Sequence, residues 1–473
     1  MTRWDVGQVT SIDTLPNDVL LEIFNSHQYD EDDEIGFKRE RAWQTLVHVC
    51  RRWRYIVFGS PRFLNLQLVC TTRTPVREML DVWPSLPLIL FYRENPTGSV
   101  DNLIAAFKCT DRVCQIDLEI AQRWDLDICG EMQQPFPELT DLYLESTNRM
   151  MAVVPDSFLG GSAPRLESLH FYGIQFPGLP KLLLSTTHLV SLSLENIPHS
   201  GYFSPEAMVA ALSTLTSLSN LWLGFESPRS CPDQASRRPP PKTRSALPVL
   251  TYFFFKGVSE YLDDLVACID APQLNILRIF FFNDIVFDTP QLVRFISHTP
   301  MSRARDKAYI TLQDCAARVS VSSQTTRDRE LSVEIWCKGL DWQVSSLEQV
   351  CTSCLPPLFV EDLYFREDSY LPPDWKDSIE NRQWLDLFRS FMAVKNLYLS
   401  GNFAPRIATA LQELVEGRTT DVLPSLQNIF LKGLESSGSV QDSESVGKLV
   451  SARQAANHPI VISPWADPED GEV

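Results

Sequence analysis

The sequence predicts an α/β chain: a small all-α head, then a solenoid with parallel β-strands on its concave side and helices and loops on its convex side. Three observations predict this. The first 64 residues hold helix starts and stops and no strand pattern. From about residue 86 onward a six-residue unit, L-x-x-L-x-L with any large apolar residue at L, recurs ten times. Between the units lie segments that open with helix-capping residues.

The head begins at Leu15-Pro16. Proline suits the first helical position, where its missing N–H costs nothing, and Asn17 and Asp18 place polar and negative groups at the positive end of the dipole. Val19, Leu20, Ile23 and Phe24 then form one apolar face. After an acidic connector, YDEDDEIG, a second helical pattern runs from about Lys38 to Phe58. Trp43, Leu46, Val47, Cys50, Trp53 and Val57 share its apolar side, and Arg51, Arg52 and Arg54 fall mostly off it. Gly59-Ser60-Pro61 ends it. Two or three such helices are too few to bury all their apolar faces. They either cap the domain behind them or leave surface for a partner helix.

The repeated units are VCQIDL at 113, LTDLYL at 139, LESLHF at 166, LVSLSL at 189, LSNLWL at 218, LTYFFF at 250, LNILRI at 274, VEDLYF at 360, VKNLYL at 394 and LQNIFL at 426. Their starts fall 23 to 34 residues apart, except for one step of 86 from 274 to 360. This is the leucine-rich-repeat signature, at or above the long end of its period, in which each unit supplies one strand and stacking builds a continuous core. The 86-residue step has room for two degenerate units, with LSVEIW at 331 a candidate for one. Ser204-Pro205-Glu206 and Thr289-Pro290 read as helix starts, Pro405 to Glu416 as a helix ended by Gly417, and VGKLVSARQAANHPIVIS as a last helix with a capping strand. The predicted domains are therefore 1–64, a helical module, and 65–464, the solenoid, with 465–473 an acidic tail. Residues 227–246, rich in proline and basic residues and lacking large apolar groups, read as a disordered insertion or as a basic or polyproline docking peptide.

LPNDVLLEIF followed by LVHVCRRWRYIVFGSPRFL resembles the F-box, the adaptor-binding module of SCF-type ubiquitin ligases. GGSAPRLESLHFYGI, FFFKGVSEYLDDLVACIDAP and NDIVFDTPQLVRFISHTP resemble the repeat domain of basidiomycete-type fungal F-box proteins. The resemblance implies that Leu15, Pro16, Val19, Leu20, Ile23, Leu46, Val49, Cys50 and Trp53 bury against a Skp-type adaptor, and through it a cullin-RING ligase, with the arginines as a rim facing an acidic partner. The connector, Asn25 to Glu40, is longer and more acidic than a compact F-box has. The implied function is a substrate receptor holding an unidentified client protein. The alternative is a leucine-rich-repeat interaction scaffold without ligase coupling.

In a strand of this type the leucines point inward and the residue between them points to the concave side. Along the ten units that position holds Asp117, Tyr143, His170, Ser193, Trp222, Phe254, Arg278, Tyr364, Tyr398 and Phe430. Six of these are aromatic, in a chain that is 10% aromatic. Tyr143, His170, Trp222, Phe254, Arg278, Tyr364 and Tyr398 are the candidate client-binding residues. The competing reading is that strands favour aromatics anyway. Arg278 is the one cation in the column, and Arg366 joins it as a phosphate reader only if the fold brings the two together.

A net charge of −18 and a pI near 4.9 argue against nucleic acid as a partner. No apolar run of 18 residues and no apolar leader at the start are present, so a membrane span is not expected and the cytoplasm or nucleus is. The C-x-x-C at Cys351 and Cys354 lacks the second pair a zinc site needs, and no hydrolase, phosphate-loop or metalloprotease motif occurs. The expectation is a non-enzymatic protein with no cofactor or metal.

Overall fold

The structure is a computed structural model. It describes all residues except 1–11, 28–36, 94–99, 121–131, 147–152, 231–243, 283–287, 303–305, 324–328, 356–358, 368–378, 401, 414–421, 433–439, 456 and 466–473. The chain divides into two compact units, Met1–Thr186 and Thr187–Val473.

The first unit opens with α1 (Asn17–His27), α2 (Phe37–Val49) and α3 (Arg51–Gly59). The single helix expected over Lys38–Phe58 is two helices, broken at Cys50. Cys50 takes an extended backbone (φ −157°, ψ 170°), and its Sγ accepts the N–H of Trp53 at 3.4 Å, closing the first turn of α3. The apolar stripe spans the break because both helices face one core. Leu20, Phe24, Trp43, Leu46, Val47, Ile56 and Val57 are buried there, and Phe24 packs on Trp53 with ring centroids 4.7 Å apart. The Trp43 indole stands edge-on to Trp83 and donates to the carbonyl of Gln67 at 3.2 Å, so the head packs on the chain that follows it.

Behind the head lie β1 (Leu68–Cys70), β2 (Leu88–Tyr92), β3 (Val113–Ile120), β4 (Asp141–Ser146) and β5 (Ser168–Tyr172), in that order and all parallel. Helices α4 (Val76–Val82) and α5 (Val100–Phe107) make the first two crossovers, as parallel pairing demands. On β4 burial alternates strictly: Leu142 and Leu144 are inside, Asp141, Tyr143 and Glu145 half-buried on the other face.

The second unit repeats the pattern with β6 (Ser191–Ile197), β7 (Asn220–Phe225), β9 (Tyr252–Gly257), β11 (Ile276–Phe281), β12 (Lys307–Leu312), β13 (Ala316–Ser322), β14 (Glu330–Trp336), β15 (Asp362–Glu367), β16 (Asn396–Leu399), β17 (Asn428–Lys432) and β18 (Val461–Trp465). A separate parallel pair joins β8 (Ser245–Ala246) to β10 (Ile269–Asp270). Leu192, Leu221, Leu223, Leu277, Leu363 and Leu397 are fully buried, each contributing about 1.5–3 kcal/mol by leaving water. The backing helices start as their capping residues suggest. Ser204 accepts the N–H of Ala207 at the helix Pro205–Leu212, and the last helix, Val440–Ala455, precedes the capping strand β18. Thr289 precedes the helix Pro290–His298 without a side-chain cap bond; its hydroxyl points to Cys354 instead.

The 86-residue step holds something other than two degenerate units. The sheet order runs β11-β14-β13-β12-β15, with β13 antiparallel to both neighbours. After β11 the chain lays down β12 three places away, turns back, and fills the gap with β13 and β14. LSVEIW is indeed a strand, but it pairs beside β11 at the end of this meander. KAYITL and AARVSVS alternate with period two and lack the leucine spacing, which is why the repeat template passes over them. The parallel array continues on either side.

Each unit is thus an α/β array of leucine-rich-repeat type. Within the proline-rich stretch 227–246, Pro228–Ser230 form a short 3-10 turn and Ser245–Ala246 a strand, while 231–243 lie outside the described residues. So do the core of the acidic connector (28–36) and the tail beyond Trp465.

Candidate functional site

Two kinds of surface carry the residues singled out above. On the head, Pro16, Val19, Ile23, Val49 and Cys50 are exposed, with Val19 and Ile23 each at 43% and Val49 at 56%; Leu15 and Trp53 are half-buried. Leu20 and Leu46 are not at the surface. At 0% and 6% exposure they belong to the head's own core, because α1 and α2 turn those positions toward Phe24 and Trp43. The arginines also differ from a simple rim. Arg52 donates to Asn17 Oδ1 at 2.8 Å and to the Leu15 carbonyl, and Arg54 Nε donates to the Val47 carbonyl at 3.0 Å. Both brace the three helices against one another. Arg51 and Arg54 line an open cleft of about 540 Å³ with Tyr55, Phe58 and Gly59. Tyr55, 76% exposed, was missed in the sequence reading; its position off the apolar stripe of α3 was the available signal.

The strand register brings the predicted column together within each unit. In the first, Phe91, Asp117, Tyr143 and His170 are successive cross-strand partners. Tyr143 and His170 stack with centroids 4.3 Å apart and planes within 5°. The Arg93 guanidinium lies over the rings of Phe91 and Tyr143, 5.5 and 5.7 Å from their centroids, and reaches Asp117 Oδ2 at 3.3 Å. Asp117 itself is buried, at 7% exposure. Burial pushes its carboxyl pKa up, only partly countered by Arg93. The Tyr143 hydroxyl donates to Glu145 at 2.7 Å, and burial together with that bond pushes the phenol up.

In the second unit, Ser193, Trp222, Phe254 and Arg278 are successive partners, followed by Ser332, Ser320, Tyr309, Tyr364, Tyr398 and Phe430. Trp222 stacks on Tyr252 at 4.9 Å and meets Phe254 at 5.1 Å. Farther along, Tyr309, Tyr364, Tyr398 and Phe430 form an unbroken ladder, with centroids 4.7, 4.1 and 4.5 Å apart and planes within 16°. Arg366 covers Tyr309 and Tyr364 from 4.8 and 5.6 Å, and Trp465 tilts against Tyr364 and Tyr398. Tyr364 is therefore buried, at 8% exposure, rather than an open side chain of the stripe. Tyr309 belongs to the ladder and was not legible as such, since its strand carries no leucine unit. Below the rings, Asn428 donates to Asn396 and Asn396 to Asp362, a second ladder at 2.8 and 2.7 Å.

Arg278 and Arg366 are not brought together. Arg278 bonds Glu330 at 2.7 Å, and β14, β13 and β12 stand between it and β15, about 19 Å at ordinary strand spacing. Cys351 and Cys354 are buried; Cys354, its Sγ 3.2 Å from the Thr289 hydroxyl, is pushed up to about 12, and Cys351 higher still, so both thiols stay protonated and unreactive. Among the described residues no group of three His, Cys, Asp or Glu is placed to hold a metal ion, and no helix is long and apolar enough to cross a membrane.

No family model matches the chain, and no curated protein matches its sequence. Among solved structures it is similar to the leucine-rich repeat-containing protein LegL7 from Legionella pneumophila, at 14% identity over 70% of this chain and 96% of that one, with a TM-score of 0.29. It is also similar to the Rad7 and Elc1 complex in yeast, at 12% identity over 91% of this chain and 96% of that one, with a TM-score of 0.25.

Proposed function

We propose that the chain is a non-catalytic substrate receptor of an SCF-type ubiquitin ligase, its F-box-like head docking a Skp-type adaptor and its repeat units holding a client protein. The observation that carries this reading is the head's apolar surface. Pro16, Val19, Ile23, Val49 and Cys50 lie exposed on helices whose own core is already filled by Leu20, Phe24, Trp43, Leu46 and Val47. A head serving only as a cap has no use for exposed apolar groups beside a filled core; a docking module does. Arg51 beside them suits an acidic partner, adding orientation and on-rate. Ubiquitin transfer would then be sped by proximity, with two binding surfaces carried on one chain.

The test is co-expression with a Skp-type adaptor and purification through the adaptor, comparing wild type with Val19→Glu/Ile23→Glu. Wild type is retained and the double variant is lost, since two charges placed in an apolar interface weaken it on the order of a hundredfold or more. A folded wild-type chain that the adaptor does not retain leaves the other reading, a leucine-rich-repeat scaffold without ligase coupling.

A further inference from the structure

We infer that Cys315 and Cys337 form an oxidation-sensitive thiol pair, a disulfide site that staples the β12–β13–β14 meander. The inference goes beyond the head's role and holds with or without an adaptor. The ladder between β13 and β14 ends at the pair Ala316 and Trp336. One residue farther on each strand stand Cys315 and Cys337, both free thiols. Directly opposed residues of antiparallel strands have Cα atoms about 4.5–5.5 Å apart, inside the range of about 4.4–6.8 Å that a disulfide spans. A second observation fastens the two positions together. Gln343, fully buried on the helix Leu340–Gln349, donates from one nitrogen to the carbonyl of Gln313 at 2.8 Å and to that of Cys337 at 3.2 Å. The Gln313 N–H in turn bonds the Ala316 carbonyl at 2.8 Å, closing the turn that carries Cys315. One side-chain amide thus clamps that turn to the residue after β14.

The two thiols differ in a way that suits a relay. Cys315 is half-buried in the turn, within reach of a small oxidant, whereas Cys337 is buried at 8% exposure. Burial pushes the Cys337 thiol up to about 11, against a hydrogen bond with Ser346 that lowers it; a charge on Cys315 raises it further, so the two sulfurs lie within electrostatic reach. Cys337 is therefore the poorer first nucleophile and the natural resolving thiol. With a peroxide as oxidant, the Cys315 sulfur attacks one peroxide oxygen and the O–O bond breaks. One water leaves, and Cys315 becomes a sulfenic acid. The Cys337 sulfur then displaces the sulfenic hydroxyl, which departs as a second water with the Cys337 proton. Two thiols and one hydrogen peroxide give one disulfide and two waters. Cys351 and Cys354, nearer in sequence, lack the accessible member, since both are buried.

The experiment treats the dilute full chain with hydrogen peroxide, blocks the remaining thiols with iodoacetamide, digests without reductant and reads linked peptides by mass spectrometry. The expected product joins Cys315 to Cys337, lighter by two hydrogens and reversed by dithiothreitol, in about tenfold or greater excess over any other cysteine pair. Cys315→Ser abolishes it, and Cys50→Ser, at an exposed cysteine of the head, leaves it unchanged. Cys337→Ala removes the resolving thiol, so sulfenic acid trapped by dimedone at Cys315 rises about tenfold above wild type. In the oxidised chain the amides of β13 and β14 exchange about tenfold more slowly, since the bond closes a loop across that hairpin. Three outcomes overturn the inference: preferential linkage of Cys351 to Cys354, oxidation of Cys315 past sulfenic acid while Cys337 stays open to iodoacetamide, or a Cys315 link between two chains as the main product. Exchange left unchanged by oxidation overturns the stapling role. Should Cys337→Ala fail to fold, Cys315→Ser, at a half-buried turn position, decides alone.

Discussion

The same strand position has been put to opposite uses in the two units. In the second, the column from Tyr309 to Phe430 closes on itself: each ring is covered by the next at 4.1–4.7 Å, and Arg366 and Trp465 seal Tyr364 beneath them. In the first, the column is interrupted by a buried carboxylate that Arg93 holds by one oxygen, the other having no hydrogen-bond partner among the described residues. An aromatic stripe read from sequence looks like one binding surface. In the fold, stacked rings spend their faces on each other, while the charge set among rings is answered by a guanidinium of the same chain, Arg93.

The largest expected effect tests the closed half of that contrast. Tyr364→Ala removes a buried ring stacked on both faces and destabilises the second unit by about 3–5 kcal/mol. Hydrogen exchange checks it: amides of β15 and β16 speed up by orders of magnitude while those of β3 and β4 do not. Unchanged protection in β15 would mean that Tyr364 serves binding and not the fold.

The next test bears on Asp117. Its folded pKa is raised by burial, so its contribution to stability is fully present below the unfolded carboxylate value near 3.9 and is lost as pH rises through the folded value. Protection of the β3 amides in the wild type therefore falls as pH climbs above about 4, after correction for intrinsic exchange, and Asp117→Asn flattens that fall. A wild-type profile that rises over the same range would show that Arg93 outweighs burial.

The strand framework beneath this contrast is legible in the sequence, the contrast itself is not, and the reasons are physical. Leucine spacing marks strands because burial enforces it, so ten strands and the register of Tyr143 on His170 or Tyr364 on Tyr398 could be read off directly. The break at Cys50 could not, because both helices point their apolar side chains at one core and the stripe runs on without a gap. Nor could the β12–β13–β14 meander, which pairs strands out of chain order. Exposure was the least legible property. Asp117 and Tyr364 occupy the outward position like their neighbours, and what buries them lies outside the repeat unit that marks each: Arg93 just past β2 and Tyr143 on β4 for one, Tyr309 on β12, Arg366 farther along β15 and Trp465 on β18 for the other.

The smallest expected effect sharpens the comparison most economically. Arg278 was singled out as the column's one cation, yet it is held by Glu330 across two hydrogen bonds on a partly exposed surface. A pair of this kind contributes about 0.2–1 kcal/mol to stability. Arg278→Ala accordingly leaves exchange protection of β11 and β14 nearly as in wild type. Protection of β11 and β14 lost by orders of magnitude would show instead that the Arg278–Glu330 pair holds the sheet as the ring ladder does. The ladder from Tyr309 to Phe430 would then not be the part of the column that the fold depends on most.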